Sequence, residues 1–280
     1  MKILIKGLKI ITIMVLLLTL ISPLHSVSAS SNTELELPPV TMEKDYREMM
    51  NIIKKNVIAG QSEKEIANIP EVIEFQKKYT SEQINLYLNN KIEAFKSNNL
   101  DIKKNKLDST IASSVIEVGK NEKQIIEYPD GSFSVFENVT ELDNNTDVNP
   151  IIMPMASHSG KPGTKYTTTN TKEFWGFYLA ARAVLITKYT VNKSSIKIND
   201  TDDAGSKSIL PTTLTLRGTS IVTNNAKSVE SKGNFMRTNG VVIGGQAIGF
   251  SSNFTLRTKI KITSSSSSKV NFTTTSTYEG

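Results

Sequence analysis

The chain has no cysteine, and that one absence excludes disulfides, thiolate metal sites, a nucleophilic thiol and a lipid anchor on cysteine. Histidine is almost as scarce. Of the two, His25 falls in the N-terminal leader, so His158 alone remains beyond it. That number excludes a histidine-rich metal site. A Ser-His-Asp triad would have to use His158, which lies in SHSGKPG, a stretch that reads as a loop. Aromatic residues make up 7% of the chain, with one tryptophan, too few for a platform on which bases could stack. No nucleic-acid partner and no cofactor are expected. Beyond the leader, no apolar run approaches the roughly 20 residues of a membrane-spanning helix. Without covalent staples the fold must rest on its own core, which a chain of this length can supply.

What is present begins with the leader. Lys2, Lys6 and Lys9 precede an uncharged apolar run from Ile10 to Ile21, which Ser22 and Pro23 break. Val27-Ser28-Ala29 then puts small residues where a signal peptidase reads them, so cleavage is expected between Ala29 and Ser30. The competing reading is an uncleaved anchor. Twelve apolar residues suit a signal core better than a span. The expected product is a secreted protein with no integral membrane segment. Its Lys- and Asn-rich, cysteine-free composition resembles exported proteins of low-GC Gram-positive bacteria.

Charge divides the remainder. Residues 30–156 carry 14 Lys+Arg against 21 Asp+Glu, a net −7, whereas residues 157–280 carry 16 against 6, a net +10. Halves of opposite sign either attract each other or meet different partners.

The pattern of apolar residues predicts an α+β protein. Met42, Tyr46, Met49, Met50, Ile53 and Val57 recur at helical spacing after Thr41, and Gly60 supplies the stop. Ser62 with Glu65, and Thr80 with Gln83, have capping-box spacing, while Pro70 suits a first helical turn. Residues 30–110 therefore read as an acidic helical region with a leader and a polar linker. From 111 to 142 the period becomes two, and Pro129-Asp130-Gly131 between β-rich runs marks a hairpin. Residues 143–163 read as a flexible connector. Residues 164–280 read as a basic all-β domain, an antiparallel sandwich or barrel. Within it Phe174 to Val191 reads as strand in preference to helix. Serine and threonine number 38 among the last 124 residues, which suits solvated sheet faces.

Several motifs resemble chemistry and are better explained otherwise. Ser194-x-x-Lys197 and Ser266-x-x-Lys269 lie in β or low-complexity surroundings, not at the helix start that penicillin-recognising enzymes require. Asp200, Asp202 and Asp203 begin like a calcium loop, but Ala204 and Pro211 stand where ligands belong, and a turn explains the cluster. The glycines of NGVVIGGQAIGF, residues 239–250, suit bulges in a core strand, with a membrane strand as the alternative.

One positive feature remains. Phe254, Leu256, Thr258, Ile260 and Ile262 alternate with Thr255, Arg257, Lys259, Lys261 and Thr263, so three cations share one strand face. With Lys269 on the expected neighbouring strand, Arg257, Lys259, Lys261 and Lys269 form a candidate surface for anions. The competing reading is a lysine-rich face that keeps a strand soluble. No catalytic residue and no metal ligand emerges. The sequence thus points to a secreted, non-catalytic binding protein acting at the cell envelope or on an extracellular anionic polymer, or on an anionic membrane surface. A β-pore-forming protein restrained by its acidic half is the main alternative, and a secreted hydrolase the third. On the first reading, removal of the acidic half should strengthen binding. Nothing in the sequence marks an oligomeric state.

Overall fold

The structure is a computed structural model that describes residues 39, 41–80, 83, 84, 86, 87, 90, 115–119, 121–128, 131–143, 158–176, 178–209, 212–243 and 246–280, with side chains throughout except 239–250. The expected leader, its cleavage site, the polar linker and most of the connector lie outside these residues.

Three helices come first: α1 (Met42–Ile58), α2 (Glu63–Ala67) and α3 (Pro70–Lys78). Their apolar stripes are those that the spacing predicts, with Met42, Tyr46, Met49, Met50, Ile53 and Val57 buried along α1. Gly60 adopts φ +84° and ends the first helix. The capping box of α2 is complete, because Glu65 N donates to Ser62 Oγ and Ser62 N donates to Glu65. Thr80 and Gln83 repeat the reciprocal pair, and Ile84 and Tyr87 are buried beyond it.

The strands follow: β1 (Val115–Val118), β2 (Lys123–Glu127), β3 (Phe133–Leu142), β4 (His158–Gly160), β5 (Thr164–Trp175), β6 (Leu179–Val191), β7 (Ile196–Asp202), β8 (Lys207–Ser208), β9 (Thr212–Thr223), β10 (Ser228–Ile243), β11 (Gln246–Ser265) and β12 (Val270–Glu279). All pairings are antiparallel. The first sheet runs β1-β12-β11-β10-β9, with β4 also on β12; the second runs β2-β3-β5-β6-β7, with β8 also on β6. The hairpin expected at Gly131 joins β2 to β3, with Gly131 at φ +87°. β3 does not stop there. It lies between β2 and β5, so strands from both sides of residues 143–157 share the second sheet.

The two sheets face each other as a sandwich, and β5, β11 and β12 share one inward sequence: an apolar end, a polar middle, an apolar end. On β5 the inward residues are Tyr166, Thr168, Asn170, Lys172 and Phe174, all buried. One apolar cluster gathers Phe136, Phe174, Leu185, Phe235, Phe254 and Leu256; the other gathers Tyr166, Tyr189, Ile196, Val229, Ile260 and Phe272. Between them runs a polar belt, in which Thr140 Oγ1 lies 2.9 Å from Thr168 Oγ1 and Thr187 Oγ1 lies 2.7 Å from Ser231 Oγ.

The helices form a third layer. Their stripes share a core with Phe133, Val135, Trp175 and Leu179, on the outer side of the second sheet. Lys54 pairs with Glu127 at 2.8 Å, and Lys207 pairs with Glu63. Of the two pairs, Lys207 with Glu63 joins the halves of opposite charge read from the sequence.

Candidate functional site

The row Arg257, Lys259 and Lys261 occurs as expected on the outward side of β11, because Leu256, Thr258 and Ile260 between them are buried. Lys259 and Lys261 are exposed, and Arg257 is half-buried. The three line a shallow groove of about 540 Å³ on the outer face of the first sheet. Its other wall is β12. Register places Thr277 opposite Arg257, Thr275 opposite Lys259 and Thr273 opposite Lys261, so hydroxyls and cations alternate across the two strands. Successive cations on one strand face stand about 7 Å apart.

Three carboxylates complete the groove: Glu117 of β1, Glu230 of β10 and Glu279 of β12. Two of them hold Arg257. Its Nη1 donates to Glu230 Oε1 at 2.7 Å and its Nε donates to Glu279 Oε1 at 2.8 Å. The hydrogen bonds to Glu279 and then Glu230 hold the guanidinium above its ordinary pKa. Arg257 is therefore a fixed strut tying β10, β11 and β12, while Lys259 and Lys261 carry the exposed charge. Glu230, register partner of Lys259 on β10, is turned to Arg257.

Lys269 does not lie on the neighbouring strand. It sits in the β11–β12 turn, where its backbone N donates to Ser266 Oγ at 3.1 Å, and it is not part of the groove lining. That contact also gives Ser266-x-x-Lys269 a structural use as a hairpin turn. Ser194-x-x-Lys197 spans the β6–β7 connection and the start of β7. The Asp200 cluster lies at the end of β7, where Asp200 and Asp202 accept from the next backbone N–H. Among the described residues no group of His, Asp or Glu side chains could hold a metal ion. His158 is a strand residue, not a loop residue: it lies on β4, buried, stacked on Phe272 at 4.6 Å between ring centroids.

Chemically the groove offers ammonium groups, hydroxyls and carboxylates on a rigid β surface. It can hold a polar chain through ionic and hydrogen-bonded contacts repeated at the strand period. Sequence reasoning finds the cations and misses Glu117, Glu230 and Glu279, which come from three different strands. Residues 273–277 form an unbroken Thr/Ser run, so the sequence did not mark which of them wall the groove.

Neither a family model nor a curated protein matches the chain. Among solved structures, the chain is similar to the crystal structure of a hypothetical protein from Listeria monocytogenes EGD-e, at 13% identity and a TM-score of 0.21. The match covers 56% of this chain and 99% of that one. A likeness at that score carries no argument.

Proposed function

We propose that this chain is a secreted, non-catalytic binding protein of the cell envelope, and that it takes an anionic polymer along the outer face of its first sheet. The observation that supports this reading is the pairing of Lys259 and Lys261 with Thr275 and Thr273 across an open groove. Each step along the strand offers one ammonium and one hydroxyl, and the strand period sets the step at about 7 Å. Arg257, held by Glu230 and Glu279, fixes the surface on which the lysines stand. The three groove cations are matched by three carboxylates, so the groove is not a blunt polycation. Such a face favours a chain whose anions are spaced by hydroxyl-bearing units, as in teichoic acid or an acidic polysaccharide, over a dense anionic surface. The signal-peptide pattern of residues 1–29 supports export to where those polymers lie.

Co-sedimentation with purified cell walls at low and high salt tests the reading. Binding should weaken with salt, since exposed charges act over a Debye length of roughly 8 Å at physiological ionic strength. Lys259→Ser with Lys261→Ser should reduce binding at least tenfold while leaving the fold intact. Equal binding by the double variant would sink the proposal.

A second reading has its own observation. The β10–β11 ladder continues to Ile243↔Gln246, whereas β9 pairs with β10 only as far as Asn239 and β12 pairs with β11 only from Thr255. Four register pairs, Gly240↔Gly249 to Ile243↔Gln246, thus have no flanking strand among the described residues. A two-stranded arm of apolar composition favours a membrane-active protein. No helix among the described residues is long and apolar enough to cross a membrane, which leaves crossing by strands open. Leakage from anionic liposomes, present with the arm and absent when residues 240–249 are replaced by a short turn, would favour it over the polymer-binding reading.

A further inference from the structure

The polar belt inside the sandwich holds five buried side-chain atoms with no hydrogen-bond partner: Asn138 Nδ2, Asn170 Oδ1, Lys172 Nζ, Thr258 Oγ1 and Ser276 Oγ. Each of these residues is 0% exposed. Unpaired buried polar groups are uncommon, and an unplaced ion or water is one of their standard explanations. Here they converge. Asn138 and Asn170 are register partners on β3 and β5, and Lys172 is the next inward residue on β5. Thr258 and Ser276 are register partners on β11 and β12. The sheets are pinned on either side: Thr140 Oγ1 lies 3.1 Å from Thr274 Oγ1, and the Phe136 and Tyr278 rings are 6.2 Å apart. Position 138 lies midway between 136 and 140, and 276 midway between 274 and 278, so Asn138 and Ser276 oppose each other across the sandwich. Asn170 Nδ2 donates to the carbonyl of Arg257 at 2.9 Å, beside Thr258. Register thus gathers the five orphans at one place, on two adjacent inward levels of the belt.

That place is positively charged. Lys172 Nζ lies 4.4 Å from the centroid of Tyr278 and 5.9 Å from that of Phe174. The guanidinium of Arg237 on β10 lies 3.9 Å from the same Phe174 ring. Arg237 acts on Lys172, and Tyr128 beyond β2 and Tyr278 on β12 act on Arg237; among the described residues no carboxylate acts on either. Aromatic faces ease a buried cation but do not neutralise it. The ammonium and the amide N–H can only donate and Asn170 Oδ1 can only accept, while the two hydroxyls can do either. Water would solvate these groups and leave their charge uncompensated. Facing sheets pack only about 10 Å apart, which limits the guest to a few atoms.

We infer that the interior of the sandwich binds a small inorganic anion of about halide size, held by the Lys172 ammonium and the Asn138 amide N–H, with the Ser276 and Thr258 hydroxyls completing the donor set. Arg237 adds positive potential without being required as a ligand. Asn170 Oδ1 accepts from a water bound with the anion. This site is separate from the groove, which lies on the other side of the first sheet.

Thermal unfolding of the purified protein in sodium chloride against sodium gluconate, at equal ionic strength and pH 6.5, tests the inference. Gluconate is too large for the interior. Chloride should raise Tm by about 3 °C for each tenfold increase above half-saturation, and gluconate should not. Lys172→Met should abolish the difference. Because that variant could fail to fold, crystals grown in bromide supply the second measurement, an anomalous peak between Asn138 and Ser276. The inference needs both the chloride-specific rise and the peak. An interior holding only water overturns it, and so does a bromide peak without any chloride effect on unfolding, which would be binding at crystal concentration only.

Discussion

At the scale of single residues, Lys172 decides how the sandwich responds to pH. Burial, and then the charge of Arg237, pull its ammonium down from an ordinary value near 10.5 to about 7. The unfolded chain therefore binds a proton that the folded chain does not between pH 7 and 10.5, and stability rises with pH across that window. Below pH 7 both states are protonated and the penalty is at its full size. In gluconate, Tm should climb from pH 7 to pH 9, and Lys172→Met should flatten that climb. A bound anion favours the charged lysine, so chloride should blunt the same slope. Arg257 gives a second prediction. Arg257→Gln should weaken polymer binding about as much as loss of one groove lysine, although Arg257 itself is occupied, because it releases Glu230 and Glu279 beside Lys259. Cell-wall co-sedimentation of the single variants measures this. The cation row was legible because a period of two on one strand needs no partner to be read. Its carboxylates were not, since Glu230 and Glu279 meet Arg257 only once β10, β11 and β12 are in register. The polar belt was equally hidden. An inward Thr258 and an outward Thr255 look alike until a facing sheet buries one of them.

At the scale of elements, local signals carried furthest where caps and turns are made of specific atoms. Ser62 and Glu65, Thr80 and Gln83, and Gly131 all act as their spacing predicts. Ser62→Ala should cost about 1 kcal/mol in denaturant unfolding, the usual size of a lost N-cap. Phe174 to Val191, readable as helix or strand, is strand apart from the break between β5 and β6. Its β-branched run pairs along β5 and β7, and that tertiary context outweighs the helix propensity of the FYLAARAVL segment. The β10–β11 arm is the element whose reach no local signal foretold. Isolated two-stranded ribbons are marginal in water. Backbone amides of 241–243 and 246–249 should exchange faster than those of 230–235, which β9 and β11 both flank. Equal protection would mean that the arm is covered by something else in solution.

At the scale of the molecule, the helices and the groove lie on opposite sides of the sandwich. The helices cover Phe133, Val135 and Trp175 on the outer side of the second sheet, and the groove opens on the outer side of the first. Among the described residues the acidic half reaches the cation row through Glu117 of β1, while its helices lie on the far side. Removal of everything before residue 158 would take β1 from the first sheet and β2 and β3 from the second, and bare the edge of β5 together with Trp175 and Leu179. The remaining fragment should aggregate instead of binding more tightly. The central claim, that the outer face of the first sheet meets an anionic polymer, is tested most directly by lysine footprinting of the intact protein on purified cell walls. Brief acetylation followed by peptide mass analysis reports each ammonium separately. The account predicts at least severalfold protection of Lys259 and Lys261, with Lys188 and Lys197 of the second sheet modified as fast as in free protein. Protection of Lys188 and Lys197 with Lys259 and Lys261 still reactive would contradict it.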